Sequence, residues 1–543
     1  MKLNKFFIIA FAGVALTACN DIDEIQPAGS GLTQEQVNKI YESLPVRAEA
    51  TFSGMFTMMG KPGATFDSGR AEDFGFIMMA ISQDAEAADY VYPNSGYNWF
   101  SVCGEYSSRN PDYANPYIRY AMPYNQIKTA NDVLKSYEGR EDADAINHMA
   151  QCRAIRAFDY LALAPYYQYK YVGHENELCV PLVTLETTDF ANNPRATVKE
   201  VYDLILEDLN YAVENLSIER DSKARINKTV ALGLRARAYM NMEKWAEAAA
   251  DASAALDLCA QEGLSPATID EVSTPSFYDI NDHNWVWGFD MTENLANKDY
   301  ATCASWESSF SANGYAAGVA VYACINNLLY NKISDTDVRK GWWVDDNLHS
   351  PLLSTISWNG VSGDAISTLA IDDIKLEFFP YTNVKFGLST IGGDKNDADF
   401  PFMRVEELIL IKAESLAKSG NEGEAKTVLS DFVKNFRDPA YNIAMSSRSL
   451  ADEIWFQRRV ELWGEGFGMS DVMRLGKPVV RFHEGEDTNQ PDAFRFNVEP
   501  TDPWLLLRFC TSETNTNASI IDNEGGVIPV MYQNGNLRDG VTD

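Results

Sequence analysis

Apolar residues recur at three- and four-residue steps over 34–59, 117–137, 143–167, 198–215, 229–259, 402–419, 422–436 and 449–464. That period gathers them on one helix face, so each stretch predicts an α-helix with a buried side. Thr33 offers an N-cap hydroxyl to the first. Ala236, Tyr239, Ala248 and Ala252 stand at the offsets of a tetratricopeptide-type hairpin, and Ala413, Leu416, Ala425 and Leu429 repeat the same offsets. Small side chains at several of these places let two antiparallel helices approach closely. The pattern predicts a mostly α chain built on helical hairpins.

Between 264 and 400 the helical period fades, while Gly, Asn, Asp, Ser and Trp rise. Asn359-Gly360 and Gly392-Gly393 are turn signals, as are the tracts 62–68 and 93–96. Residues 475–543 read as loop with short extended pieces such as 504–509. Loops held on a rigid scaffold commonly carry binding residues. The expectation is one domain over 33–543. Its helical scaffold covers about 33–60, 117–260 and 402–475, and a large irregular lobe covers about 61–116, 264–400 and 476–543.

The N-terminus is of another kind. Lys2 and Lys5 flank the start of an apolar run, Phe6 to Leu16, and Leu16-Thr17-Ala18-Cys19 follows. The run has the parts of a secretory signal peptide and is too short to span a bilayer, which needs ~20 residues. A small-residue site ending on Cys is the pattern of bacterial lipoproteins. Residues 1–18 are expected to be cut away, leaving Cys19 acylated; several chains anchor where one alone binds marginally. Residues 19–32, with Asp21, Asp23 and Glu24 ahead of a Pro/Gly/Ser stretch, read as an acidic tether. The formal charge is −33, and loss of Lys2 and Lys5 makes it −35. Such a surface repels phosphates, which argues against nucleic acid as a partner. The seven cysteines besides Cys19 have no CxxC pair and cannot all pair internally, so buried thiols are expected rather than a disulfide scaffold.

Catalytic signatures are missing: there is no GxSxG elbow, HExxH or phosphate loop, and no two of the five histidines have metal-ligand spacing on one helix. Gly464-Glu465-Gly466-Phe467-Gly468 ends a helix and reads as a cap and turn. No metal or cofactor is expected. A glycosidase needs only two carboxylates at ~5–10 Å, and with 78 acidic residues counting leaves that alternative open. Aromatics are abundant, and many Trp and Tyr fall in the irregular segments. Rings exposed among polar neighbours suit stacking on the flat C–H faces of sugars. The same rings could equally pack loops onto the scaffold.

One run of residues is more specific. Trp455-Phe456-Gln457-Arg458-Arg459-Val460-Glu461-Leu462-Trp463-Gly464-Glu465-Gly466-Phe467, followed by Asp471-Val472-Met473-Arg474-Leu475, resembles the "RRxELxxEGxRxxDLxR" helix of the SusD/RagB lipoproteins of Bacteroidetes. Arg404-Val405-Glu406-Glu407-Leu408-Ile409-Leu410 with Ala413-Glu414, Cys152-Arg153-Ala154-Ile155-Arg156-Ala157-Phe158-Asp159-Tyr160 and Tyr124-Asn125-Gln126-Ile127-Lys128-Thr129-Ala130-Asn131 are similar to further segments of that family. On chemistry alone, Arg458, Arg459, Glu461 and Glu465 read as a structural ion network, the two glutamates one turn apart.

The resemblance implies four tetratricopeptide-like units with a loop-rich ligand-binding lobe. It implies a non-catalytic protein on the outer face of the outer membrane, lipid-anchored, that binds glycan and loads it into a SusC-like TonB-dependent transporter. Peptide is the alternative ligand within the family. By region, ligand contacts would come from Asn98 and Trp99 and from the stretch holding Trp285, Trp287, Trp306 and Tyr315.

Overall fold

The computed structural model describes residues 45–66, 70–93, 100–293, 295–296, 306–311, 322–369, 378–393 and 395–543. Several of its long helices begin at a side-chain cap. Helix α1 is Pro45–Thr57, α2 Phe76–Glu86, α3 Ala114–Ser136, α4 Ala143–Tyr167 and α5 Val198–Asn215. Then come α6 Lys228–Asn241, α7 Trp245–Gln261, α8 Val405–Lys418, α9 Glu422–Phe436, α10 Leu450–Glu461 and α11 Gly468–Leu475. Asp142 caps α4 by accepting the Ala145 amide, and Thr197 with Glu200 closes a capping box on α5. From α3 to α7 each helix packs on the next, and α7 passes the stack to α8, which packs against α9 and α10. The chain is mostly helical, as its periodicity predicts.

The hairpins form at the small residues. Ala236 and Met240 of α6 meet Ala248 and Ala252 of α7, with Ile411 of α8 in the same buried cluster. Leu410 and Ala413 of α8 meet Leu429, Phe432 and Val433 of α9 likewise. Two expected helices change shape. The stretch 229–259 breaks at Met242-Glu243-Lys244, where Glu243 takes a left-handed turn (φ 54°). The start of 402–419 is strand: Phe400–Arg404 pairs antiparallel with Trp285–Phe289, both buried along their whole length. Of the expected helix 34–59, the described part is Pro45–Thr57; Thr33 and Cys19 lie outside the described residues. Cys152, Cys179, Cys259, Cys324 and Cys510 are buried free thiols, Cys103 is buried as well, and Cys303 lies outside the described residues. Among the described residues no helix is long and apolar enough to cross a membrane.

The end of α10 carries a buried ionic core. Glu461 accepts Arg437 Nε at 2.8 Å, Arg404 Nη1 at 3.1 Å and Arg339 Nη1 at 3.2 Å. Glu465 accepts Arg404 Nη2 and Lys385 Nζ, each at 2.7 Å. Glu406 bridges Arg404 and Arg437, and Asp337 holds Arg339 at 2.6 Å. Four cations (Arg339, Lys385, Arg404, Arg437) thus meet four carboxylates (Asp337, Glu406, Glu461, Glu465), all buried. Burial works against ionisation of Glu461, but Arg437, Arg404 and Arg339 hold its carboxyl well below the ordinary range. Arg458 pairs with Asp471 at 2.6 Å, and Arg459 with Asp89 and Asp539 at 2.7 and 2.6 Å. Lys385 and Arg339 come from the irregular segments and the glutamates from the helical scaffold, so the network ties lobe to scaffold.

The glycine turn beyond α10 binds a carboxylate. Gly466 and Gly468 donate their amides to Asp84 of α2 at 2.9 and 2.7 Å. Gly466 has φ 83°, and a Cβ there would stand 2.4 Å from the Ala80 Cβ, so only glycine fits. Burial pushes Asp84 up to about 7 against the pull of the two amides.

Candidate carbohydrate-binding groove

Of the tryptophans expected to face ligand, the three that are described do not. Trp285 and Trp287 lie in the buried strand, and Trp287 packs its ring against Phe158 and Phe402, 5.0 Å from each. Trp306 is equally buried, with its Nε1 on the Ala71 carbonyl at 3.2 Å and its ring 4.8 Å from Phe100. This corrects the expectation of a platform at these three positions. A large ring gains more from burial than from a water-facing position, and here both faces of the strand are covered. Trp342, Trp343 and Trp358 are buried as well. Asn98, Trp99 and Tyr315 lie outside the described residues.

The exposed aromatics stand elsewhere. Helix α3 starts at Ala114 because Pro116 suits a first turn, where its missing N–H would be unpaired anyway. Tyr113 is the extended residue just before it (φ −86°, ψ 154°) and keeps 52% of its surface in water. Tyr117 follows one turn later, its ring centroid 5.1 Å from that of Phe66, which is 36% exposed. The Arg70 guanidinium lies over Phe66 at 5.2 Å and gives Nε and Nη2 to Glu72 Oε1 at 3.0 and 2.8 Å. Across from them the Thr511 amide donates to the Pro111 carbonyl at 3.2 Å, and the Thr511 hydroxyl donates to Asp112.

Together these residues line an open groove of about 670 Å³, within the ~300–1,000 Å³ of small-molecule sites. Its walls offer ring faces beside carboxylates. Two buried acceptors belong to residues of the wall, Glu72 Oε2 and Asn115 Oδ1, and neither has a donor among the described residues. Asn115 uses its Nδ2 on Ser82 Oγ at 3.3 Å and Cys103 Sγ at 3.4 Å. Helical periodicity does not single out this groove. Phe66 sits in a turn tract and Tyr113 just ahead of the expected helix start. The legible signal was the pair Tyr113 and Tyr117, four residues apart across a helix start.

A second cluster has the outline of a nucleophile set. His283 places Nδ1 3.1 Å from Ser265 Oγ and Nε2 2.9 Å from Glu271. Its Nδ1 also faces the Ser265 carbonyl at 3.0 Å. The ring thus lies between two acceptors, the Ser265 carbonyl and the Glu271 carboxylate, on a partly exposed surface.

Residues 77–240 match a family model described as starch-binding and associating with the outer membrane, and residues 378–524 match the SusD family model. A SusD-like protein of Formosa agariphila is 21% identical over 510 residues, covering 87% of this chain and 91% of that one. The crystal structure of a SusD-like carbohydrate binding protein from Bacteroides vulgatus has a TM-score of 0.68 at 24% identity, covering 88% of this chain and 97% of that one. A laminarin binding SusD-like protein has a TM-score of 0.60 at 18% identity, over 88% and 99%. The matched segments hold the Arg458–Glu465 motif, the ionic core's glutamates and the α3–α4 helices, and on these grounds the chain belongs to the SusD family.

Proposed function

We propose that this chain is a non-catalytic surface lipoprotein that binds glycan in the groove of Phe66, Tyr113 and Tyr117 and delivers it to a SusC-like TonB-dependent transporter. Residues 1–18 are its signal peptide, Cys19 its acylated anchor on the outer face of the outer membrane, residues 19–32 its tether and 33–543 its one domain. The observation that carries the ligand reading is the exposed ring of Tyr113. The molecule buries Trp285, Trp287, Trp306, Trp342 and Trp343, yet leaves this ring in water beside the Asp112 carboxylate. A sugar presents a C–H face to such a ring and hydroxyl donors to such a carboxylate, which only accepts. The solved relatives described as carbohydrate binding and laminarin binding support the ligand class.

Calorimetry of the full chain against a panel of oligosaccharides tests the reading. Heat is expected with at least one, and Tyr113→Ala is expected to cost ~1–3 kcal/mol of affinity, by analogy with stacking of bases on aromatics. Silence across the panel rejects glycan binding. Release of shortened products by the protein alone rejects the non-catalytic role.

A further inference from the structure

Near its C-terminus the chain holds a run of apolar side chains in water. Val527 is 85% exposed and Val530 65%, and Ile528, Met531 and Tyr532 each keep more than half of their surface in water, while Pro529 among them is buried. The exposed large apolar side chains outside the C-terminal stretch, Phe66, Tyr113, Leu185, Phe190 and Met445 among the described residues, are not gathered in such a run. Single exposed apolar residues are ordinary, but five within six positions form a patch of the kind that marks an interaction site. The loop is fixed at both ends. A Cβ on Gly526 would collide with the Trp504 backbone, so the chain enters pressed against that residue. The Val530 amide donates to Gln533 Oε1 at 2.9 Å and the Gln533 amide to the Val530 carbonyl at 3.0 Å, which closes a turn. Within that turn Tyr532 takes a left-handed conformation (φ 66°), costly for an aromatic residue. Its amide on the Arg495 carbonyl and its hydroxyl on Asp492 Oδ1 at 3.0 Å keep it there.

Charge decides what can cover this loop. No residue from 525 to 537 is charged, although the chain carries a formal charge of −33. In sequence around it, residues 478–543 hold eleven acids against four arginines and no lysine. Segments that lie on a lipid surface carry Lys and Arg beside their apolar residues, and this one does not. A second copy of the chain would set one acidic surround against another. An uncharged patch with Met and Tyr has the composition of the core of a protein–protein interface. We infer that loop 527–532 docks on a protein whose facing surface is apolar at its centre and basic at its rim, and that this protein is the transporter. The inference rests on the delivery reading proposed above, since delivery requires the two proteins to touch. The groove at Tyr113 takes the ligand and this loop takes the partner.

The test uses the full lipid-anchored chain in isolated outer membranes of its own host. Val527→Cys is labelled with a benzophenone maleimide and irradiated, beside Met445→Cys, an exposed position in another segment, as control. The expected product is a cross-link from position 527 to a SusC-like transporter, identified by mass spectrometry, at least tenfold above the yield from position 445. Val527→Asp combined with Val530→Asp is expected to lower the transporter recovered with the affinity-tagged chain at least tenfold, with glycan affinity and the urea midpoint unchanged. Cross-links confined to lipid or to a second copy, equal yield from both positions, or no cross-link while the transporter still co-purifies would overturn this surface and leave delivery standing. Full recovery of the transporter with both aspartates in place would do the same. Loss of glycan affinity in that double variant would assign the loop to ligand and overturn its role in docking. Absence of the transporter from the wild-type preparation would overturn the delivery reading, and this inference with it.

Discussion

The core around Glu461 and the groove around Tyr113 distribute charge and aromatic surface in opposite ways. At Glu461, four cations and four carboxylates lie buried, balanced and bonded to one another. At Tyr113, the rings face water beside the exposed Asp112 and the Arg70–Glu72 ion pair. Buried charge is tolerated where every partner is present, because each ion replaces its lost water with a fixed counter-ion. An exposed ring has no such compensation within the fold; Tyr113 and Phe66 differ from a lone surface ring in standing together on one groove. Residues that hold the protein together thus differ from those proposed to face a ligand, although chemical type alone suggests the reverse.

The largest effect should come from breaking the ionic balance. Glu461→Ala strands Arg437, Arg404 and Arg339 and is expected to cost ~3–5 kcal/mol in urea unfolding. A loss below ~1 kcal/mol would mean the charges are not what ties the lobe to the scaffold. Trp287→Ala empties a site packed by Phe158 and Phe402 and is expected to cost ~3–5 kcal/mol of stability while glycan affinity stays unchanged. Tyr113→Ala should do the opposite, moving the unfolding free energy by no more than ~0.5 kcal/mol. If both variants lose affinity together, the division between holding and binding aromatics fails.

A slope with pH separates two buried carboxylates. Asp84 sits at about 7 in the folded protein, above its unfolded value near ~3.9, so its contribution is full below pH ~4 and is lost as pH rises toward 7. Glu461 runs the other way, since its folded carboxyl is held down. Its contribution is present above pH ~4.3 and falls as acid is added. Urea midpoints from pH 4 to 7.5 should show a stability decline between 4 and 7 that flattens in Asp84→Asn. An unchanged slope in that variant would remove Asp84 as its source.

Much of the scaffold was readable because burial there follows a period. Helices α4, α5 and α9 have the bounds their periodicity predicts, and α5 and α9 each keep one dry face. Helix α2 escaped the same reasoning because every residue from Ile77 to Glu86 is buried, which leaves no polar face to mark a period. Phe400–Arg404 looked like the start of a helix for a related reason: an apolar run buried on both sides is ambiguous until its partner strand is known. The site was legible only as a class. An abundance of aromatics in irregular segments suggested a sugar platform, but which rings reach water depends on what packs over them.

By itself the sequence determined what local chemistry decides: the helical hairpins, the glycine turn after α10, and the ion-pairing residues of the signature helix. Periods, caps and small-residue offsets act within a few residues, so one chain suffices to read them. The tertiary structure alone decided which charges balance and which rings stay wet. Arg339 and Glu461 lie 122 residues apart, and Phe66 meets Tyr117 across a turn and a helix. Burial is a property of the assembled neighbours, and no residue carries it in its own side chain.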